Sequence, residues 1–164
     1  MDRLILFRHG KALSESESGQ DFDRRLAGRG VTDSAEMAAR LADLGFRPDL
    51  VLVSPAVRTR ETWAAAEPAF PGAEVRFDQR LYHADTALVL RMATEAGESG
   101  GTVMIVGHNP GLQDLTVKLL AEGGAPAGLV SRAQQRFPPA AAAAFLMGGA
   151  RPVSDGLFLP ERRG

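Results

Sequence analysis

Two of the three histidines in this chain follow sequence patterns that are typical of buried strands. His9 comes after the apolar run Leu4–Phe7 and directly after Arg8. His108 comes after the apolar run Val103–Val106 and a glycine. Such runs suit central strands that are covered on both faces, and residues just past the carboxyl ends of these strands face the ligand-binding crevice of an α/β sheet. Two histidines and an arginine in that crevice predict a site for an anion.

His9 has the chemistry of a nucleophile toward phosphorus. A neutral imidazole carries one unprotonated ring nitrogen near pH 7, and that nitrogen can attack a phosphoryl group. The other ring nitrogen then has to donate to a fixed acceptor, and Gly10 lets the backbone come close. We therefore predict that His9 is the nucleophile and that Gly10 belongs to the substrate-binding set.

Two arginines are placed to hold the phosphoryl group while His9 attacks it. Arg8 precedes the nucleophile, and Arg58 lies in the first turns of a predicted helix whose N-terminus itself attracts anions. Two guanidinium forks can hold the three equatorial oxygens and leave the axial line open. His108 adds a further donor, and Arg60 is the alternative to Arg58 as the residue that points inward.

These side chains neutralise phosphoryl charge without a metal ion, so we predict no metal and no other cofactor. The alternative is a zinc site formed by His9, His83 and His108. Paired arginines next to such a site would repel the cation, which disfavours zinc.

Three motifs occur in this order along the chain: Arg8-His9-Gly10, Ser54–Thr62 and Gly107–Gly111. Together they resemble the signature of the histidine phosphatase superfamily, which includes phosphoglycerate mutase-like enzymes. The resemblance runs from about Leu4 to Leu120, and more weakly to Leu159. It implies a phosphohistidine intermediate on His9 and catalytic roles for Arg8, Arg58 and His108.

Two further segments, Asp21–Leu26 and Leu81–Ala84, are similar to SixA-type phosphohistidine phosphatases. This similarity implies that the substrate is phosphohistidine on a partner protein, with a role in phosphorelay signalling. Asp21 and Arg24 resemble an aspartate-x-x-arginine step of those proteins. The pair either contacts the substrate or forms a salt-bridged turn that orders the next helix.

His83 stands where many ester-cleaving members of the superfamily carry a glutamate. A phosphate ester leaves as an alkoxide and gains greatly from a positioned proton donor, whereas phosphohistidine leaves as the better leaving group imidazole. The absent glutamate therefore favours hydrolysis of a P–N bond. His83 either donates a proton or lines the substrate pocket.

Two other functions stay open at this point. One is a phosphomonoesterase of the same superfamily that acts on a small phosphorylated molecule. The other is a non-catalytic module that binds a phosphorylated ligand. The intact set of Arg8, His9, Arg58 and His108 argues against the second, because a binding module needs no nucleophile.

The remaining pattern alternates strands with helices. The predicted strands are Leu4–Phe7, Leu50–Val53, Glu74–Phe77, Val103–Val106, Ala143–Met147 and, more weakly, Gly156–Leu159. The predicted helices are Val31–Leu44, one starting at Ser54-Pro55, Ala84–Ala96, and one starting at Asn109-Pro110. Glu122–Ala140 is predicted to be a flexible surface connection rather than a substrate-facing flap. This order predicts an α/β three-layer sandwich with a mostly parallel central sheet flanked by helices. The resemblance implies that this sandwich has the phosphoglycerate mutase-like fold of the histidine phosphatase superfamily.

Length and composition limit the number of domains and the kinds of partner that this protein can have. A chain of 164 residues suits a single domain, residues 1–164. The formal net charge of -1 provides no field for nucleic acid or an anionic membrane. The absence of cysteine excludes disulfides and thiolate chemistry and is compatible with a reducing cytoplasm. We therefore expect a cytoplasmic protein whose partners are phosphorylated proteins or small phosphorylated molecules, not nucleic acids or membranes.

Overall fold

The computed structural model describes residues 1–161, so residues 162–164 of the predicted domain lie outside the described residues. The strands are β1 (Arg3–Arg8), β2 (Leu50–Val53), β3 (Glu74–Phe77), β4 (Thr102–Gly107), β5 (Ala142–Leu146) and β6 (Val153–Phe158). The α-helices are α1 (Gly28–Asp43), α2 (Val57–Ala66), α3 (Thr86–Ala96), α4 (Gly111–Glu122) and α5 (Ala127–Gln135). Within the described residues, no helix is long and apolar enough to cross a membrane.

The strands form one six-stranded sheet in the order β3-β2-β4-β1-β5-β6. β1, β2, β3 and β4 pair in parallel, whereas β5 runs antiparallel to β1 and to β6. The predicted mostly parallel sheet with flanking helices is thereby confirmed. Because β1 and β4 are neighbours in register, Arg8 lies beside Gly107, and the histidines that follow these residues emerge side by side.

The two faces of the sheet bury separate apolar clusters. Along β1, Leu4 and Leu6 pack with α3, α4 and α5, whereas Ile5 and Phe7 pack with α1 and α2. All four side chains are 0% exposed, and burial of each contributes about 1.5–3 kcal/mol. Because successive side chains of β1 point to opposite faces of the sheet, this one strand packs against both helix layers. These contacts hold the carboxyl end of β1 in place.

Two predicted helix starts are wrong. α2 begins at Val57, so Ser54 lies before the helix, and its hydroxyl oxygen lies 2.7 Å from Nε2 of His108. α4 begins at Gly111, and the side-chain nitrogen of Asn109 donates to the carbonyl of Phe137 over 2.9 Å. In both places the shortest hydrogen bond of the polar side chain goes to a partner distant in sequence, although Ser54 Oγ also accepts from the backbone N–H of Ala56 over 3.4 Å.

The prediction of a flexible connection over 122–140 is also wrong. This segment contains α5, whose Ala133 is fully buried, and it continues to Phe137, which is 3% exposed. The side chain of Gln113 donates to the carbonyls of Ala133 and Gln134, which ties α5 to α4. The segment therefore contains a helix packed on α4, and the carbonyl of Phe137 beyond that helix accepts from Arg8 and Asn109 at the carboxyl ends of β1 and β4.

Candidate active site

His9 lies just past the end of β1 and is 8% exposed. Its Nδ1 lies 2.7 Å from the carbonyl oxygen of Gly10, to which it donates a hydrogen bond. This bond places the ring proton on Nδ1 and leaves Nε2 with a free lone pair. The structure thus provides the fixed acceptor that a nucleophilic histidine requires.

Burial is the main reason why the pKa of His9 is lowered to about 4. The hydrogen bond to Gly10 opposes this shift, and the positive charges of Arg8, Arg58 and Arg24 reinforce it. His9 is therefore a neutral imidazole at physiological pH. This state is the one that can attack phosphorus.

Arg8 is anchored at one end of its guanidinium. Nη1 donates to the carbonyl of Phe137 over 3.0 Å, and the buried Nε has no partner among the described residues. Burial, and then the positive charge of Arg58, lowers the pKa of Arg8. The two guanidinium groups therefore repel each other across the site, and a bound anion would relieve this repulsion.

Arg58 faces inward and is 7% exposed, whereas Arg60 on the same helix is exposed. Nη1 of Arg58 donates to the carbonyl oxygen of Asp21 over 2.9 Å, and Nη2 donates to its Oδ2 over 3.0 Å. Among residues 1–161, the buried Nε of Arg58 also finds no hydrogen-bond partner. Both guanidinium groups thus keep their Nε edge unused.

His108 emerges from β4 next to His9, with ring centroids 5.4 Å apart. Its Nε2 lies 2.7 Å from the hydroxyl of Ser54, and its buried Nδ1 has no partner in the described part of the chain. Burial, followed by the electrostatic influence of His9 and Arg58, lowers the pKa of His108 to about 3. It is thus a neutral ring that can offer one N–H group to a ligand.

Gly10 joins this site to the helix layer. Its N–H donates to Thr62 Oγ1 over 3.0 Å, and its carbonyl holds His9. A Cβ at this position would lie 2.5 Å from the carbonyl oxygen of Gly30 in α1. Both backbone polar groups of Gly10 are thus occupied by the protein itself, which suits a residue that orients His9.

The other predicted site residues lie at the mouth of the crevice. Asp21 and Arg24 form an ion pair of 2.9 Å within one turn, so they build the salt-bridged turn expected as one alternative. Nε of Arg24 also donates to the carbonyl of Leu13 over 2.7 Å. His83 is exposed, and its ring centroid lies 4.0 Å from that of Tyr82.

Three groups that hold the side chains of the site were not predicted from the sequence: Ser54, Tyr82 and the carbonyl of Phe137. Ser54 was predicted only to start a helix, and no sequence pattern indicates a role for the Phe137 carbonyl. Tyr82 is the single tyrosine of the chain and lies next to His83, yet only the fold brings its hydroxyl to Asp21, 2.6 Å away. Within residues 1–161, no group of three His, Asp or Glu side chains is arranged to hold a metal ion.

Comparisons with known proteins agree with this arrangement. The histidine phosphatase superfamily (branch 1) matches residues 4–96. An uncharacterized protein of Mycobacterium tuberculosis is 30% identical over 142 residues, which is 87% of each chain.

Two solved structures extend the similarity over nearly the whole chain. A protein of Agrobacterium tumefaciens proposed to be the phosphohistidine phosphatase SixA is 31% identical, covers 97% of this chain and 98% of its own, and superposes with a TM-score of 0.83. A second protein proposed to be SixA, from Nakamurella multipartitia, is 25% identical over 97% of this chain and 96% of its own, with a TM-score of 0.85. The chain belongs to the histidine phosphatase superfamily.

Proposed function

We propose that this protein hydrolyses phosphohistidine on a partner protein through a phosphohistidine intermediate on His9. Membership of the superfamily supports phosphatase activity in general. The similarity to proteins proposed to be SixA supports the choice of phosphohistidine as substrate. The proposed catalytic residues are Arg8, His9, Arg58 and His108.

One observation carries the proposal. Nε of Arg8, Nε of Arg58 and Nδ1 of His108 are buried nitrogens without a hydrogen-bond partner in the described residues. Each such group costs about 1–3 kcal/mol when it stays unsatisfied. All three belong to side chains that surround a neutral His9, so a bound phosphoryl group would satisfy them together.

The reaction follows from these positions in two steps. Nε2 of His9 attacks phosphorus, a new P–N bond forms, and the bond to the substrate imidazole breaks while that imidazole keeps the electron pair and takes a proton from solvent. Arg8, Arg58 and His108 donate to the equatorial oxygens, where charge accumulates in the transition state. In the second step, water attacks the phosphorus on His9, a P–O bond forms, and the P–N bond breaks with its electron pair returning to Nε2. The proton lost by the water leaves with the inorganic phosphate, and His9 is again neutral.

Neither Asp21 nor Tyr82 can supply a proton to a leaving group, which favours a substrate whose leaving group needs none. Asp21 is the carboxylate bound to Arg58, and the hydrogen bond from Tyr82 together with those from Arg24 and Arg58 holds its pKa well below the usual range. It is therefore ionised near neutral pH and has no proton to give. The hydroxyl proton of Tyr82 is already donated to Asp21. An alkoxide leaving group would thus receive little assistance from either residue, whereas imidazole needs little.

The test compares three substrates: a phosphohistidine-bearing protein, p-nitrophenyl phosphate and 3-phosphoglycerate. We expect kcat/KM for phosphohistidine to exceed that for 3-phosphoglycerate by at least about 100-fold, the lower end of what a positioned acid contributes. Arg58→Ala should abolish most of the activity, and Arg60→Ala is the matched control because its side chain is exposed on the same helix.

Two results would contradict the proposal. Efficient hydrolysis of 3-phosphoglycerate would show that some residue supplies a proton and would favour the small-molecule phosphomonoesterase. Equal losses in the two arginine variants would show that Arg58 does not hold the phosphoryl group.

A further inference from the structure

The Arg58 guanidinium is held along one edge only. Its Nη1 and Nη2 both donate to Asp21, one to the backbone carbonyl and one to the carboxylate. Its Nε is buried without a partner within residues 1–161. The edge formed by Nε–H and the second hydrogen of Nη2 therefore stays available. Two parallel N–H groups on that edge match two oxygens of a phosphoryl group.

Asp21 is in turn held by Tyr82. The Tyr82 hydroxyl donates over 2.6 Å to Oδ2, the same oxygen that accepts from Arg58, while Arg24 donates to Oδ1 over 2.9 Å. The side chain of Asp21 is 50% exposed. Without the hydroxyl, this carboxylate could turn toward water and release the guanidinium.

The Tyr82 ring is itself fixed by packing. It makes edge-to-face contacts with Phe22 at 5.0 Å and with His108 at 5.7 Å between ring centroids. The Arg58 guanidinium carbon lies 6.0 Å from the centroid of the same ring. Tyr82 thus links the turn that carries Asp21 with two of the proposed catalytic side chains.

We infer that Tyr82 and Asp21 are positioning residues that orient Arg58 so that its Nε edge faces the phosphoryl group. The inference rests on the proposed function. Asp21 is anionic and would repel a phosphoryl oxygen, so it acts through Arg58 and not by touching the substrate. An arginine side chain has many rotamers, and fixing Arg58 before the ligand arrives removes the entropic cost of ordering it from binding.

The alternative hypothesis is that Asp21 acts as a gate and competes with the phosphoryl group for Arg58. The two hypotheses predict opposite effects of Tyr82→Phe on phosphate binding. Tyr82→Phe removes the hydroxyl and keeps the ring contacts and the net charge. If Tyr82 positions Arg58, this variant binds phosphate more weakly; if it supports a gate, the variant binds phosphate more tightly.

The experiment is a double-mutant cycle on the dissociation constant for inorganic phosphate, measured by calorimetry on the full chain. We expect Tyr82→Phe to weaken binding about 3- to 10-fold, in the range of one charge-assisted hydrogen bond. In an Arg58→Lys background the same change should alter the constant by less than about 2-fold, because lysine has no fork to orient. Asp23→Asn is the matched control on the same turn, since its carboxylate accepts from Ser18 and should leave binding unchanged.

A spectroscopic signature separates positioning from a general loss of structure. The Nε–H resonance of Arg58, assigned by its disappearance in Arg58→Lys, should be narrow in the wild type and broadened in Tyr82→Phe. Saturating phosphate should sharpen it again.

Three outcomes overturn the inference. They are tighter phosphate binding in Tyr82→Phe, equal effects of Tyr82→Phe in both backgrounds of the cycle, and an unchanged Nε–H resonance. A wild type that binds no phosphate would instead overturn the proposed function, and this inference with it.

Discussion

At the scale of single residues, the site combines a neutral nucleophile with fixed positive charge. His9 and His108 are kept neutral by burial, with pKa values of about 4 and about 3. Arg8 and Arg58 are each anchored to a protein oxygen and keep one edge unused. The attraction for phosphate is thus built from a few aimed donors in a chain whose formal net charge is only -1.

The lowered pKa of His9 predicts the pH dependence of the reaction. A histidine in water protonates near pH 6.5 and would lose its nucleophilicity below that value. Because the pKa of His9 is about 4, the neutral form persists as the pH falls, and kcat/KM should decline only near pH 4. The measurement is kcat/KM from pH 3.5 to 8 for a phosphoramidate, corrected for the ionisation of the substrate. A half-loss of activity near pH 6.5 would mean that His9 is solvated and not buried.

The four proposed catalytic residues could be predicted from the sequence because each lies in a local motif. Their partners could not, since the hydrogen bonds join residues far apart in the chain. Asp21 and Arg58 are separated by 37 positions, and Arg8 and Phe137 by 129. A local sequence pattern does not indicate contacts between residues so far apart. The roles of Tyr82 and of the Phe137 carbonyl are therefore visible only in the folded structure.

At the scale of elements, the loop after β1 lies directly on the first turn of α1. A Cβ at Gly30 would collide with the backbone of Lys11, and a Cβ at Gly10 would lie 2.6 Å from Ser34 Oγ. Gly28, two residues earlier in α1, has nothing within 4 Å of such an added atom. The close approach at Gly30 therefore holds the loop whose Gly10 carbonyl orients His9.

This contact predicts a difference between two glycine variants of one helix. Gly30→Ala should lower the free energy of unfolding by about 1–3 kcal/mol, as overpacking against backbone does, and should reduce kcat/KM by displacing the loop. Gly28→Ala should leave activity unchanged and stabilise the protein by up to about 1 kcal/mol. Urea denaturation and kinetics on both variants give the comparison. Equal stability and activity in the two would refute the packing argument.

Strands were easier to predict than the segments between them. The buried strand Leu50–Val53 is a short apolar run and has the predicted bounds, and the mostly exposed edge strand Glu74–Phe77 also has the predicted bounds. α5 was missed because its segment is rich in glycine, proline and alanine and lacks a clean helical period. Ala133 of α5 and Phe137, two residues beyond the end of α5, are buried by tertiary packing, which the local pattern does not indicate.

At the scale of the whole molecule, strand order is what assembles the site. β4 inserts between β2 and β1, so the carboxyl ends of three parallel strands lie side by side. β1 ends before His9, β4 ends before His108, and β2 ends before Ser54, the partner of His108. The sequence predicts an α/β sheet from alternating elements, but the order of its strands follows from pairing that only the folded chain shows.

The central claim is that His9 carries the phosphoryl group during the reaction. The most direct test mixes the enzyme with a phosphorus-labelled phosphoramidate, quenches it within milliseconds, and asks where the label lies. We expect a label that is labile in acid and stable in base, that maps to the peptide containing His9, and that is absent from His9→Ala. In His9→Ala the activation free energy should also rise by several kcal/mol, on the order seen when other enzymes lose their nucleophile. Full labelling of His9→Ala, or a label that maps to another residue, would contradict the account.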